Sequence, residues 1–245
     1  MEDRRGTARW ALFWVIVAIV TTAGAFTLLA QRFEYDDVLR KPPGEVLGLF
    51  HAAGPSLVFI WLSFAMGVLL LAPVAVLLER ATPGPASRWL SAVAIASAVL
   101  QAVGLLRWVF VVPLLARGWS STSVSPATRE TLEWIYQAVH QYGGVILGEW
   151  MGQLLLVAWT LGFGLRLARS GGTAARVLGW AAWVISAVWI AGFTELLGTV
   201  IPGMTVIEAG PIAFTVWQFW LVAVAVQVWR AAQSAASVSA AAGKV

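Results

Sequence analysis

The sequence predicts an all-α integral membrane protein, a bundle of six transmembrane helices with both termini cytoplasmic. Three observations predict it. The 245 residues are 60% hydrophobic and only 11% charged, where a soluble domain is about a quarter charged. Apolar stretches of about 20 residues, long enough to span a bilayer, recur along the chain. The mean hydropathy is +0.80. There is no cysteine, which excludes disulfides, thiolate metal sites and Cys nucleophiles.

Six apolar stretches follow in order: Trp10–Ala30, Gly54–Leu78, Trp89–Leu115, Val145–Leu165, Val177–Ile201 and Pro211–Val228. Backbone groups in lipid must be satisfied within the element, so each stretch is read as a helix. The first could be taken for a signal peptide with a small-residue site at Ala23–Ala25. Its apolar run continues to Ala30, which favours an uncleaved anchor. The connections on one face are short, with turn residues Thr82-Pro83-Gly84-Pro85 and Ser170-Gly171-Gly172. Those on the other are longer, Gln31–Ala53 and Ala116–Gly144, with polar patterning of their own. Residues 1–230 read as one transmembrane domain, and 231–245 as an Ala/Ser-rich disordered tail.

Arg4, Arg5, Arg9, Arg80, Arg88, Arg166, Arg169, Arg176, Arg230 and Lys244 fall on the face of the short connections. Arg32, Arg40, Lys41, Arg117 and Arg129 fall on the other. This bias places the termini in the cytoplasm of a bacterial inner (plasma) membrane protein. The basic residues sit in short clusters rather than a stripe, so the net charge of +4 reads as a topology signal and not as nucleic-acid binding.

Ionisable groups inside spans are costly and call for a reason. Arg107, Glu149 and Glu195 lie in spans three, four and five. At 1.5 Å per residue each sits about 25–28 Å from the inner basic residue of its span. One shared level allows a single cluster, with Gln153 on the face of Glu149. Two readings stand: a structural ion cluster, or a ligand or proton site open to the outer face. In the second, Arg107 holds an anionic headgroup and a protonated Glu149 or Glu195 serves as acid.

His51 and His140, the only two histidines, reach a common outer height if their helices continue. They are candidates for a bis-His haem b or a divalent metal. The plainer reading has each satisfying an interfacial helix end, and no cofactor is predicted. On an α-helix His140 and Glu149 stand half a turn apart in phase, unless Gly143-Gly144 kinks it. Trp108 and Trp150 each follow a buried charge, and an aromatic lining beside an acid suits a polyprenyl chain or a carbocation. Ordinary packing and lipid-facing Trp are the alternative. Gly144 and Gly148 read as close helix packing, as do Gly162 and Gly164. Phosphate-binding Gly loops, zinc-protease and Ser-hydrolase motifs and Asp-rich prenyl-diphosphate motifs are absent.

The block Gly104-Leu105-Leu106-Arg107-Trp108-Val109-Phe110-Val111-Val112-Pro113 resembles one in small bacterial multi-pass proteins of the family catalogued as domain of unknown function 4386. So does Val139-His140-Gln141-Tyr142-Gly143-Gly144-Val145-Ile146-Leu147-Gly148-Glu149. Trp159-Thr160 and Leu178-Gly179-Trp180 fit the same pattern, while Trp150-Met151 departs from an expected His-Leu. The resemblance implies about six membrane helices and singles out Arg107, His140, Tyr142 and Glu149. It carries no activity.

The expected function is binding, sensing or transport of a small amphipathic or lipid-like ligand in the outer half of the bilayer. Its binding residues would be Arg107, Glu149, Glu195, His140, Tyr142, Gln153, Trp108 and Trp150. The alternatives are a terpene-cyclase-like acid catalyst using Glu149 and Glu195 on a lipid or isoprenoid, and a haem or metal protein using His51 and His140. The partners are membrane lipid and the ligand, and an oligomer is allowed.

Overall fold

The computed structural model describes residues 4–242 apart from Asp36, with side chains through Ala235. The described residues form helices joined by turns and irregular connections, without strands. Six helical stretches are long and apolar enough to cross a membrane: Arg4–Phe33, Ser56–Ala81, Arg88–Trp119, Pro126–Arg169, Thr173–Gly198 and Gly210–Ala235. Each contains most or all of one predicted span, and the chain is a multi-pass membrane protein.

In chain order the helices are α1 (Arg4–Phe33), α2 (Pro43–Ala53), α3 (Ser56–Leu69), α4 (Leu71–Ala81), α5 (Arg88–Phe110), α6 (Val112–Trp119) and α7 (Pro126–Val139). A π-helical segment, His140–Gly152, follows. Then come α8 (Gln153–Arg169), α9 (Thr173–Gly192), α10 (Thr194–Gly198) and α11 (Gly210–Ala242). The breaks inside spans have local causes. Pro113 lacks the N–H that would continue α5, and α6 restarts beside it; Pro73 does the same after α3. Gly54, at φ +75°, separates α2 from α3.

The two longer connections are not loops, as the sequence suggested, but helices. α2 and α6 are too short to read as spans and α7 is polar on average, yet each buries apolar residues: Val46, Leu47 and Phe50 on α2, Leu115 and Ala116 on α6, Tyr136 on α7. Pro43 and Pro126 occupy the first turns of α2 and α7, where a missing N–H costs nothing. Ser125 caps α7 by accepting from Thr128 N at 3.1 Å. Ahead of α2, Lys41 bridges Glu34 and Glu45 at 2.7 and 2.6 Å. Its hydrogen bonds to Glu34 and then Glu45 hold its ammonium above the usual lysine range. At the other end of the chain, helix α11 continues through the Ala/Ser-rich stretch to Ala242, and residues 243–245 lie outside the described residues.

The chain forms two compact units. Unit 1 comprises Met1–Ala18, Leu70–Ala98 and Gln153–Val245. Unit 2 comprises Ile19–Leu69 and Val99–Gly152. In unit 1, α8 and α9 meet through glycines: a Cβ on Gly179 would lie 2.6 Å from Gly164 O, so only Gly permits this approach. Two buried indoles there find acceptors, Trp217 donating to Thr160 Oγ1 at 2.9 Å and Trp220 to Leu178 O at 2.8 Å, while Trp159 Nε1 is buried without a partner among the described residues. The turn after α4 is held by Arg166. Its Nη1 donates to Glu79 Oε2 at 2.7 Å and Pro85 O at 2.6 Å. Its Nη2 donates to the carbonyls of Glu79, Thr82 and Gly84 at 3.0–3.1 Å. Unit 2 is built on an aromatic core of Phe33, Phe50, Trp61, Trp108 and Tyr136.

Candidate functional site

The site in unit 2 grows from one seam. On α5, Gln101, Gly104 and Arg107 are spaced by three and share a face. The π-helical segment runs antiparallel to it and presents Gly152, Gly148 and Gly144 in turn. A Cβ on Gly104 would stand 2.8 Å from both Gly143 O and Gly148 Cα. One on Gly152 would stand 2.5 Å from Gln101 Cγ, and one on Gly144 2.5 Å from Arg107 Cζ. The missing side chains are what let the Arg107 guanidinium lie across the backbone of the segment.

The winding of this segment changes which residues share a face. π-helices are rare and short in most proteins and concentrate at functional sites; this one has 13 residues. Its i→i+5 pattern turns once in about 4.4 residues. The nine residues from His140 to Glu149 therefore make about two turns and end nearly in phase, where an α-helix would make about two and a half. His140, Gly144, Gly148 and Gly152 are buried at a spacing of four, as is Val145, and Tyr142, Ile146 and Met151 are exposed. The half-turn phase difference expected from α-helical geometry does not hold.

Arg107 is buried, and its Nη1 donates to Gly104 O. It lies within electrostatic reach of Glu149, Tyr136 and Tyr35. Its Cζ is 5.2 Å from the Trp108 ring centroid. Trp108 stacks on Trp61 at 4.8 Å and 7°, and on Phe50 at 6.0 Å and 14°. His140 is buried, meets Trp108 edge-on at 6.4 Å and stacks on Tyr136 at 5.6 Å. The Tyr136 hydroxyl is 3.5 Å from His140 Nδ1, the outer limit of a hydrogen bond. Nε of Arg107 and Nε1 of Trp61 and Trp108 are buried and have no hydrogen-bond partner among the described residues.

Unit 2 therefore gathers Arg107, Trp108, His140 and Glu149. The half-buried Trp150 sits on the same segment as Glu149, while Tyr142 is 64% exposed. His51 is exposed on α2. Two expected members belong to unit 1. Gln153 accepts from Trp189 Nε1 at 2.9 Å. Glu195, half-buried on α10, brings Oε2 to 3.7 Å from the position of a Cβ on Gly210. That is the first residue of α11, where the helix dipole favours a carboxylate. The described residues contain no group of three or more His, Asp or Glu arranged to hold a metal ion. Tyr136 and Trp61 were missed by sequence reasoning. The i,i+4 spacing of Tyr136 and His140 was the available signal for the first; for Trp61 there was none.

No curated protein and no solved structure matches the chain. The family model described as Domain of unknown function (DUF4386) matches residues 13–225, a span that includes the whole α5 and π-helical seam. On that match, the chain belongs to the DUF4386 family.

Proposed function

We propose that this multi-pass membrane protein binds a small amphipathic or lipid-like ligand at the Arg107 site, in a binding, sensing or transport role. The observation that carries the reading is a buried guanidinium within a span, seated on a glycine-lined π-helical segment. A charge at such a place is costly and marks function by default. The Lys/Arg bias supports cytoplasmic termini in a bacterial inner membrane, with the site toward the outer leaflet.

The test is gentle purification in detergent, followed by mass spectrometry of co-purifying molecules and a visible spectrum. The expected result is a colourless protein carrying one defined lipid class, depleted at least tenfold in Arg107→Gln at equal monodispersity. An unchanged lipid complement in Arg107→Gln would sink the proposal. A Soret band lost in His140→Ala would replace it with the haem reading.

A further inference from the structure

Building on the Arg107 reading, we propose that the ligand's polar end is an uncharged hydrogen-bond acceptor, a carbonyl or ester oxygen, received by Arg107 Nε and the indole N–H groups of Trp108 and Trp61. Three buried donors in one packed group make no hydrogen bond among the described residues. They are close together: Arg107 Cζ is 5.2 Å from the Trp108 ring, which is 4.8 Å from Trp61. Buried donors left unmade are expensive, and three in one cluster call for a shared acceptor.

Charge selects the kind of acceptor. Glu149 lies within electrostatic reach of Arg107, so the guanidinium already has a carboxylate in its surroundings. An anionic headgroup would leave an excess negative charge inside the bilayer, where it is poorly solvated. A carbonyl oxygen takes two hydrogen bonds and the second oxygen of an ester can take a third, so an ester matches the three donors and brings no charge. Two of the three donors are indoles, which suit a neutral acceptor as well as a charged one.

The experiment uses the full chain in detergent and three radiolabelled probes of equal chain length: a fatty-acid methyl ester, the free carboxylate at neutral pH, and an alkane. The ester is expected to bind at least tenfold more tightly than the carboxylate, and the alkane more weakly than either. Trp108→Phe and Trp61→Phe keep the aromatic packing and delete one donor each. Each is expected to weaken the ester about tenfold without lowering thermal stability. Tighter binding of the carboxylate, or ester affinity unchanged in both Trp variants, would overturn the uncharged acceptor. If Arg107→Gln still strips lipid in that case, the Arg107 site itself stands; if it does not, both fall.

Discussion

Arg166→Ala is expected to destabilise the protein by about 3–5 kcal/mol, the cost of leaving a buried charge without its partner. Glu79 is fully buried and receives Arg166 Nη1 at 2.7 Å. The same guanidinium collects the carbonyls of Glu79, Thr82, Gly84 and Pro85. The first two are in the last turn and at the C-cap of α4, where the last carbonyls lack helical partners and the dipole is negative. Losing Arg166 thus strips a carboxylate and four carbonyls at once. Arg166→Lys is expected to recover little, because a point charge cannot reach both sets. Glu79→Gln in the Arg166→Ala background removes the orphaned charge and should restore part of the loss. The measurement is the monodisperse fraction in detergent after a temperature series. Equal stability of wild type and Arg166→Ala would show that the network contributes nothing.

Gly104→Val is expected to cost about 3 kcal/mol, the upper end for overpacked cores. Its Cβ would meet Gly143 O and Gly148 Cα at 2.8 Å. Both are backbone atoms, so no rotamer change relieves the contact. Gly144→Ala should behave differently. Its Cβ meets the end of the Arg107 side chain, which can move, so lipid retention should fall more than stability. Gly24 has open space around it, and Gly24→Ala should be neutral or slightly stabilising through helix propensity. The same thermal series and lipid analysis separate the three variants. A Gly104→Val protein as stable as Gly24→Ala would refute the close seam.

Hydropathy and span length were enough to locate all six membrane helices, because lipid leaves the backbone no other way to satisfy itself. The helices α2 and α7 escaped, α2 because its 11 residues are too few to read as a span and α7 because a helix with one buried face looks polar on average. The glycine seam was half legible: Gly144 and Gly148 stood out by spacing, but their partner Gly104 is forty residues away. The π winding left no trace in composition, and with it went the phase of His140 against Glu149. Arg166 read as one more topology charge because its partner Glu79 is 87 residues distant. Glu195 shared a depth with Arg107, yet depth carries no information about which unit a residue joins.

The Arg166 network also decides where a foreign sequence can be spliced into the chain. Two short connections look alike on paper, both rich in Gly or Pro. In the first, four backbone carbonyls between Glu79 and Pro85 are gripped by one side chain, and Ser87 N is tied to Glu79 Oε2 at 3.3 Å; an inserted epitope would pull them apart. In the second, Gly171 and Gly172 adopt φ +97° and +82° with nothing within 4 Å of either Cβ position. Exposed, uncontacted turns of this kind tolerate insertion. A protease site or reporter placed between Gly171 and Gly172 would leave the bundle intact and report directly which side of the membrane that turn faces.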